Sequence, residues 1–376
     1  MIAVNREKAL HLAKYFQVRV CTCVSTGWKA LGREIIDVNP PEHEAAYELR
    51  RLDRFPHKTD ITKFVMLGLK DELMDFQPDI VLVENEPWSF LRWQVRWQTW
   101  KFTPRTQFVE FTWENIKRVG RKGKVLDWIY KAAAYSGEKI ICGNRQALEL
   151  CLEAGYNKHS STIQAQLGID FEKHPPSTET ERIAWRNALG WSDSSIVIGF
   201  CGRLVPEKGL FELLEAVKLL RNERKNLCLA LLGEGILYNE LLSNDPNGEW
   251  LKILPAVKHE DVPLFLNKLD IFVLPSKPKI HSSGGVWEEQ FGHVLIEAMA
   301  CRVLTIGSNS GAIPRVLDDP EVTFKHSDTN SLLKNLTYWL RDQEIRSNKA
   351  INQRDICNKK WSHEEIARKY SLFLNS

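Results

Sequence analysis

The sequence predicts an α/β protein built from two doubly wound parallel sheets. Short β-branched runs alternate with amphipathic helical stretches along the whole chain, and strands separated by helices pair in parallel. A Gly- and Pro-bearing stretch, Leu167–Thr178 with Pro175-Pro176, interrupts the alternation midway. A chain of 376 residues is also long for one domain. The expected organisation is a first domain over 1–166, a linker over 167–178 and a second domain over 179–360. The last helix, within 361–376, would return to the first domain.

In the first half, strands are expected at Gln17–Val24, Tyr47–Leu52, Asp79–Glu84, Gln107–Phe111, Lys139–Cys142 and Ser161–Ala165. Helices are expected near Glu7–Tyr15, Thr62–Met74, Ser89–Trp100, Val125–Tyr135 and Arg145–Ala154. In the second half, strands fall at Ile196–Phe200, Leu227–Leu232, Leu251–Leu254, Ile271–Leu274, Val303–Ile306 and Val322–Phe324. The helices there fall at Leu210–Arg221, Leu237–Leu242, Val262–Lys268, Gly292–Ala300, Ser331–Arg341 and Glu364–Leu374. Trp93, Trp97 and Trp100 recur at helical spacing and read as a core-facing stripe.

Composition excludes several classes. The apolar fraction of 43% and charged fraction of 26% are those of a globular protein. A net charge of +3 is too mild to imply nucleic acid. No run of eighteen apolar residues exists to span a bilayer, and Met1–Lys8 lacks the apolar core of a signal peptide. The eight cysteines show no CxxC pair and no zinc spacing, so they read as core residues of a protein in a reducing cytoplasm.

Three segments carry chemistry. The first runs from the strand ending in Pro275 to Glu289-Gln290-Phe291-Gly292-His293-Val294-Leu295-Ile296-Glu297. It places two carboxylates, eight positions apart, around the start of a helix. Unpaired N–H groups and the dipole make such a start an anion site, and adjacent carboxylates suit hydroxyls. That is the chemistry of a sugar nucleotide. The second is Gly202-Arg203-Leu204-Val205-Pro206-Glu207-Lys208-Gly209, at a strand's carboxyl end. Gly202 lets a ligand approach the backbone, and Arg203 and Lys208 could hold one diphosphate. It is not a Walker motif. The third is Leu231–Gly235, with Gly233 beside the nucleotide.

Together GRLVPEKG (202–209), LLGEG (231–235), DIFVLPS (270–276), EQFGHVLIEAMA (289–300) and GSNSGAIPRVL (307–317) resemble family 4 of the retaining glycosyltransferases, which have the GT-B fold. Pro78–Pro87, Phe108–Ile116, Cys142–Arg145 and Gln166–Asp170 resemble a branch associated with bacterial surface and exopolysaccharides. The resemblance implies two Rossmann-like domains facing a central cleft. It implies that Arg203 and Lys208 stabilise the leaving diphosphate, that Glu297 binds the ribose and that Glu289 contacts the transferred sugar. Phe291, Gly292, His293 and Val294 would meet sugar and phosphate through their backbone, and Val257 and Lys258 would read the base. It implies no metal and no cofactor, since Arg, Lys and the helix dipole replace the metal.

The function implied is transfer of a hexose, glucose from UDP-glucose first, to a glycan or lipid-linked glycan. A nucleotide-sugar epimerase and an inactive nucleotide-sugar-binding protein remain as alternatives. Trp113 and Glu114 fall on the acceptor side, where the family often has a histidine. The family's Gly, Pro and Glu are here Arg302, Leu304 and Arg315. The family's first strand and Gly-rich loop are not recognised: either Met1–Val4 is a vestigial strand or a segment lies upstream. Lys117, Arg118, Arg121, Lys122 and Lys124 form a basic run, either a solvated loop or a contact with anionic lipid at the inner membrane face. The insertion Lys277–Val286 is longer than a tight βα loop and is where substrate preference is expected to reside.

Overall fold

The computed structural model describes residues 3–23, 29–30, 33–34, 43–44, 46–56, 62–282 and 284–376. The chain divides into one unit of residues 1–168, 281–285 and 363–376, and a second of 169–280 and 286–362. Residues 169–178, read from sequence as linker, therefore group with the second unit.

In the first unit, β1 (Arg19–Cys23) pairs in parallel with β2 (Tyr47–Leu52). β3 (Ile80–Glu84), β4 (Gln107–Thr112), β5 (Lys139–Cys142) and β6 (Ser161–Ile163) form a second parallel ladder in the order β6-β5-β4-β3. The ladders are separate among the described residues, yet Cys23 of β1 and Val83 of β3 share one apolar cluster with Phe64, Leu69, Val95 and Phe108. Ala3 and Val4 open the helix Ala3–Leu12, which corrects the vestigial-strand alternative; Met1 and Ile2 lie outside the described residues, as does Val24. That helix packs on the last one, His363–Leu374, with His11 and His363 stacked at 5.6 Å. The segment read as one helix from Thr62 begins as a short strand, Val65–Met66, and the helix starts only at Leu69 after Gly68.

The tryptophan stripe is also corrected. Helix Phe90–Phe102 buries Arg92, Val95 and Thr99, and leaves Trp97 and Trp100 half or more exposed. The reason is a buried ion pair. Arg92 donates to Glu110 of β4 through Nε at 2.8 Å and Nη2 at 2.9 Å, and through Nη2 to the Ala133 carbonyl at 2.9 Å. Tyr156 completes it from its hydroxyl at 3.1 Å to Glu110. This pair turns its own face of the helix inward. Removing one partner strands a buried charge, so Arg92→Ala is expected to cost about 3–5 kcal/mol in urea unfolding. A loss below about 1 kcal/mol would show the pair to be incidental.

The second unit holds one six-stranded parallel sheet. Its strands are β7 (Ile196–Cys201), β8 (Leu227–Leu232), β9 (Leu251–Leu254), β10 (Ile271–Leu274), β11 (Leu304–Ser308) and β12 (Thr323–Phe324), in the order β9-β8-β7-β10-β11-β12. Every residue of β8, β10 and β11 is buried, as uninterrupted apolar runs covered on both faces must be. Strand order reverses between β7 and β10, which pair at Ile198↔Ile271 and Gly199↔Phe272. Ligands of doubly wound sheets bind beyond the carboxyl ends of strands at such a switch point.

Helices Glu179–Ala188 and Gln343–Trp361 were not read from sequence. The first opens on a capping box, Thr178 with Glu181, and its Arg182 and Arg186 bond to Asp270. The second buries Arg346 and Gln353 among its inward residues, and the Gln353 amide both donates to and accepts from the Thr305 backbone at 2.8 Å. The insertion after β10 pairs Lys279–Ile280 with Val286–Trp287 as an antiparallel hairpin.

Candidate functional site

The residues expected to meet a donor lie on loops at the carboxyl ends of β7, β8, β9 and β10. Gly202 and Arg203 follow β7, Gly233 follows β8, Val257 and Lys258 follow β9, and Glu289–Glu297 follow β10. Two glycines let these loops close on one another. Gly233 has φ 148°, and a Cβ there would lie 1.9 Å from the Gly202 carbonyl oxygen. Gly209 has φ 66°, and a Cβ there would lie 2.0 Å from the Pro275 carbonyl oxygen. The β7 loop is thereby drawn against β8 on one side and β10 on the other.

At the switch point the β7 and β10 loops meet through charge. Lys208 Nζ binds Glu289 Oε2, which also accepts from Ser276 Oγ at 2.7 Å. Both charged side chains are close to nine-tenths buried. Lys208 also lies over the Trp287 ring at 5.4 Å. Arg203 is about half exposed, 3.9 Å from Glu207. Its guanidinium is thus available to solvent while Lys208 is engaged.

Glu297 lies one turn into helix His293–Ala300, whose N-cap Gly292 has φ 74°. Its Oε1 is 3.0 Å from His259 Nε2 and 3.2 Å from His293 Nδ1. Burial pushes this carboxyl up, but the hydrogen bonds and charges of the two histidines outweigh it and hold it well below the usual carboxylate range. The hydrogen bond to Glu297 in turn raises His259 above the usual histidine value. A buried, ionised carboxylate is an acceptor only, which suits paired hydroxyls. Phe291 is buried edge-on against Trp361 at 5.3 Å, and fixes the approach to the helix. Val257 and Lys258 are exposed, with Lys258 3.6 Å from Glu260.

In the first unit, Trp113 and Glu114 follow β4. Trp113 Nε1 donates to Gln166 Oε1 at 2.9 Å. Glu114 is buried, accepts from Ile116 N at 2.9 Å and pairs with Arg118 at 2.8 Å. Beside them is a carboxylate the sequence reading left unassigned. Glu86, two residues beyond β3, accepts from the Thr112 hydroxyl and from Trp113 N at 3.3 Å. Burial is the main cause that pushes it up to about 7, aided by the nearby Glu114 charge and opposed by the Thr112 hydrogen bond. The available signal was an acidic residue two positions past an apolar strand. His259 was missed for another reason: it meets Glu297 from a loop 38 positions away, and no local spacing shows that.

Glu86 has a consequence for stability. Its folded value lies above the ordinary 4.5, so the folded state holds its proton more firmly than the unfolded one. The stabilisation is fully present below pH 4.5 and is lost as pH rises through about 7. Wild-type protein is expected to lose on the order of 1–3 kcal/mol from this group between pH 5 and 8. In Glu86→Gln that slope should flatten in melting curves; an unchanged slope would rule out the raised value.

Two parallel-sheet α/β units, with acidic and basic loops at a switch point, define a GT-B architecture. Residues 181–355 match the family described as glycosyl transferases group 1. Over this segment the chain is similar to family-4-like bacterial glycosyltransferases. It is 27% identical over 227 residues to a GDP-mannose-dependent monoacylated alpha-(1-6)-phosphatidylinositol monomannoside mannosyltransferase of Corynebacterium glutamicum, covering 60% of this chain and 58% of that protein. It is 27% identical over 221 residues to the capsular polysaccharide biosynthesis glycosyltransferase CapM of Staphylococcus aureus, covering 55% and 53%. The chain therefore spans little more than half the length of these relatives. The Anabaena protein Alr3699/HepE, solved with UDP and glucose, superposes with a TM-score of 0.62 at 15% identity, over 88% of this chain and 87% of that one. That likeness is one of fold.

Proposed function

We propose that this protein is a retaining, metal-independent glycosyltransferase. It moves a hexose from a UDP-sugar, UDP-glucose first, to a glycan or lipid-linked glycan acceptor in exopolysaccharide synthesis. The observation that carries this reading is the pairing of Lys208 with Glu289 at the switch point, beside a Glu297 kept ionised by two histidines. Glu297 takes the ribose hydroxyls. Arg203 and Lys208 take the diphosphate, and Lys208 leaves Glu289 for it as charge develops on the leaving oxygens. Glu289, so released, takes a hydroxyl of the hexose. The glycosidic C–O bond to the diphosphate breaks as the acceptor hydroxyl attacks from the same face, and the leaving phosphate receives the acceptor's proton. Val257, Lys258 and the backbone of Phe291–Val294 border the base, sugar and phosphate.

The relatives support the class and leave the donor open, since one is named for GDP-mannose and another was solved with UDP. A thermal-shift screen against UDP-, GDP- and ADP-sugars decides between them. A ligand at 100 times its Kd adds about 2.7 kcal/mol to stability, so one nucleotide class should raise the melting temperature. No shift with any of them, or UDP release without a glycosylated product, sinks the proposal. Turnover should be indifferent to EDTA.

The same reading places the protein in the cytoplasm at the membrane face. No helix among the described residues is long and apolar enough to cross a membrane. Helix Gly120–Ser136, however, starts within the basic run, and Arg121, Lys122 and Lys124 are exposed beside exposed Val119, Val125 and Trp128. Each basic residue near an anionic surface contributes about 1 kcal/mol. Co-sedimentation with phosphatidylglycerol vesicles that survives Lys122→Glu with Trp128→Ala would exclude this contact.

A further inference from the structure

The two histidines on Glu297 do more than hold a carboxylate. His259 Nε2, His293 Nδ1 and a Glu297 oxygen lie within 4.8 Å of one another. His293 and Glu297 occupy adjacent turns of one helix face, four positions apart, and His259 opens the 3-10 turn His259–Asp261 opposite them. We propose that this trio is a binding site for a zinc-class divalent cation, and that the cation competes with the nucleotide sugar. Competition rests on the placement of the donor ribose at Glu297.

The donor set fits such an ion. Two imidazoles and a carboxylate are ligands for zinc and its neighbours, whereas magnesium and calcium take oxygen alone. Bonds of about 2.0–2.2 Å to one tetrahedral ion put its ligand atoms roughly 3.4 Å apart. The separations from Glu297 Oε1 to His259 Nε2 and His293 Nδ1, 3.0 and 3.2 Å, need to open by only a few tenths of an ångström. Glu297 is buried and its orientation is fixed by the helix, while the His259 side chain is 51% exposed. One side of the trio thus faces solvent, which supplies an entry path and a water for the fourth position. No other trio of His, Cys, Asp or Glu with this geometry occurs among the described residues. Cys201 and Cys301 do not belong to this cluster.

The ion and the ribose hydroxyls would both draw on the single Glu297 carboxylate, so each ligand disfavours the other. By linkage each must weaken the other by the same factor. Such an ion acts as an inhibitor and takes no part in transfer.

The test uses the full chain, reduced and stripped with EDTA, titrated with Zn2+ against a chromophoric chelator. One equivalent should bind to the wild type. His259→Ala and Glu297→Gln should each weaken it by at least tenfold, and His326→Ala, on another loop, should leave it unchanged. His259 is half exposed and Gln is nearly isosteric with Glu, so both variants should fold, as circular dichroism will check. Zn2+ affinity unaffected by His259→Ala and Glu297→Gln overturns the site. In the second arm, UDP affinity is measured with and without Zn2+. Zinc should weaken UDP binding to the wild type but not to His259→Ala, a difference that chelation of UDP in solution cannot produce. Zinc bound at the trio with UDP affinity unchanged overturns the competition. Zinc bound at the trio in a protein that binds no nucleotide sugar supports the metal site and overturns the glycosyltransferase reading instead.

Discussion

Glu297→Ala is expected to weaken UDP-sugar binding by about 30- to 1,000-fold, with turnover lost in proportion. The side chain is buried and ionised, and a hydrogen bond to a charged group contributes about 1.5–3 kcal/mol. One to two such bonds to the ribose hydroxyls bracket the roughly 2–4 kcal/mol to which that range corresponds. The loss should appear in both Kd and kcat/KM, because the proposed ribose contact would be the same before and during transfer. A purely structural role predicts something else: lower melting temperature with unaltered affinity in the fraction that remains folded. Isothermal titration on folded protein separates the two, and unchanged affinity there removes Glu297 from the donor site. Glu297→Gln adds a finer contrast. It retains an acceptor oxygen but loses the charge on which His259 and His293 converge, so its binding should fall between wild type and alanine.

The sequence made the second unit's sheet legible because its strands are buried on both faces. Runs such as Leu227–Leu232 and Ile271–Leu274 are apolar throughout, and nothing but a covered parallel strand accommodates them. Helix Gln343–Trp361 was not legible because its inward face mixes Arg346 and Gln353 with Ala350, Cys357 and Trp361, which dilutes the apolar period. The tryptophans of Phe90–Phe102 misled for the converse reason. They follow helical spacing, but the buried Arg92–Glu110 pair chooses a different face. At the site, the motifs located Lys208, Glu289 and Glu297 individually. Their partnerships span 81 positions for Lys208 with Glu289 and 38 for His259 with Glu297, and only the folding of the loops after β7 and β9 onto the segment after β10 creates them. Glu86 acquires its raised value from burial, with the Glu114 charge adding to it and the Thr112 hydrogen bond opposing it, which no property of the Glu86 segment alone specifies.

Lys208→Ala should lower kcat by about 100- to 1,000-fold, the usual cost of removing one preorganised donor from a developing anion. It should also destabilise the fold, since Glu289 would keep only the Ser276 hydroxyl as partner. The two effects can be told apart with a second substitution. If Lys208 served only to neutralise Glu289, then removing that charge as well, in Lys208→Ala with Glu289→Gln, would restore both stability and turnover. If Lys208 holds the diphosphate, stability recovers in the double variant while turnover stays low, because neither an amide nor a methyl group offsets the leaving charge. Lys208→Arg keeps the charge but spreads it over a planar fork in a space shaped for a compact ammonium between Glu289 and the Trp287 ring, so it should rescue turnover only in part. Full turnover in the double variant would remove Lys208 and Glu289 from catalysis together and leave the proposed diphosphate role to Arg203 alone.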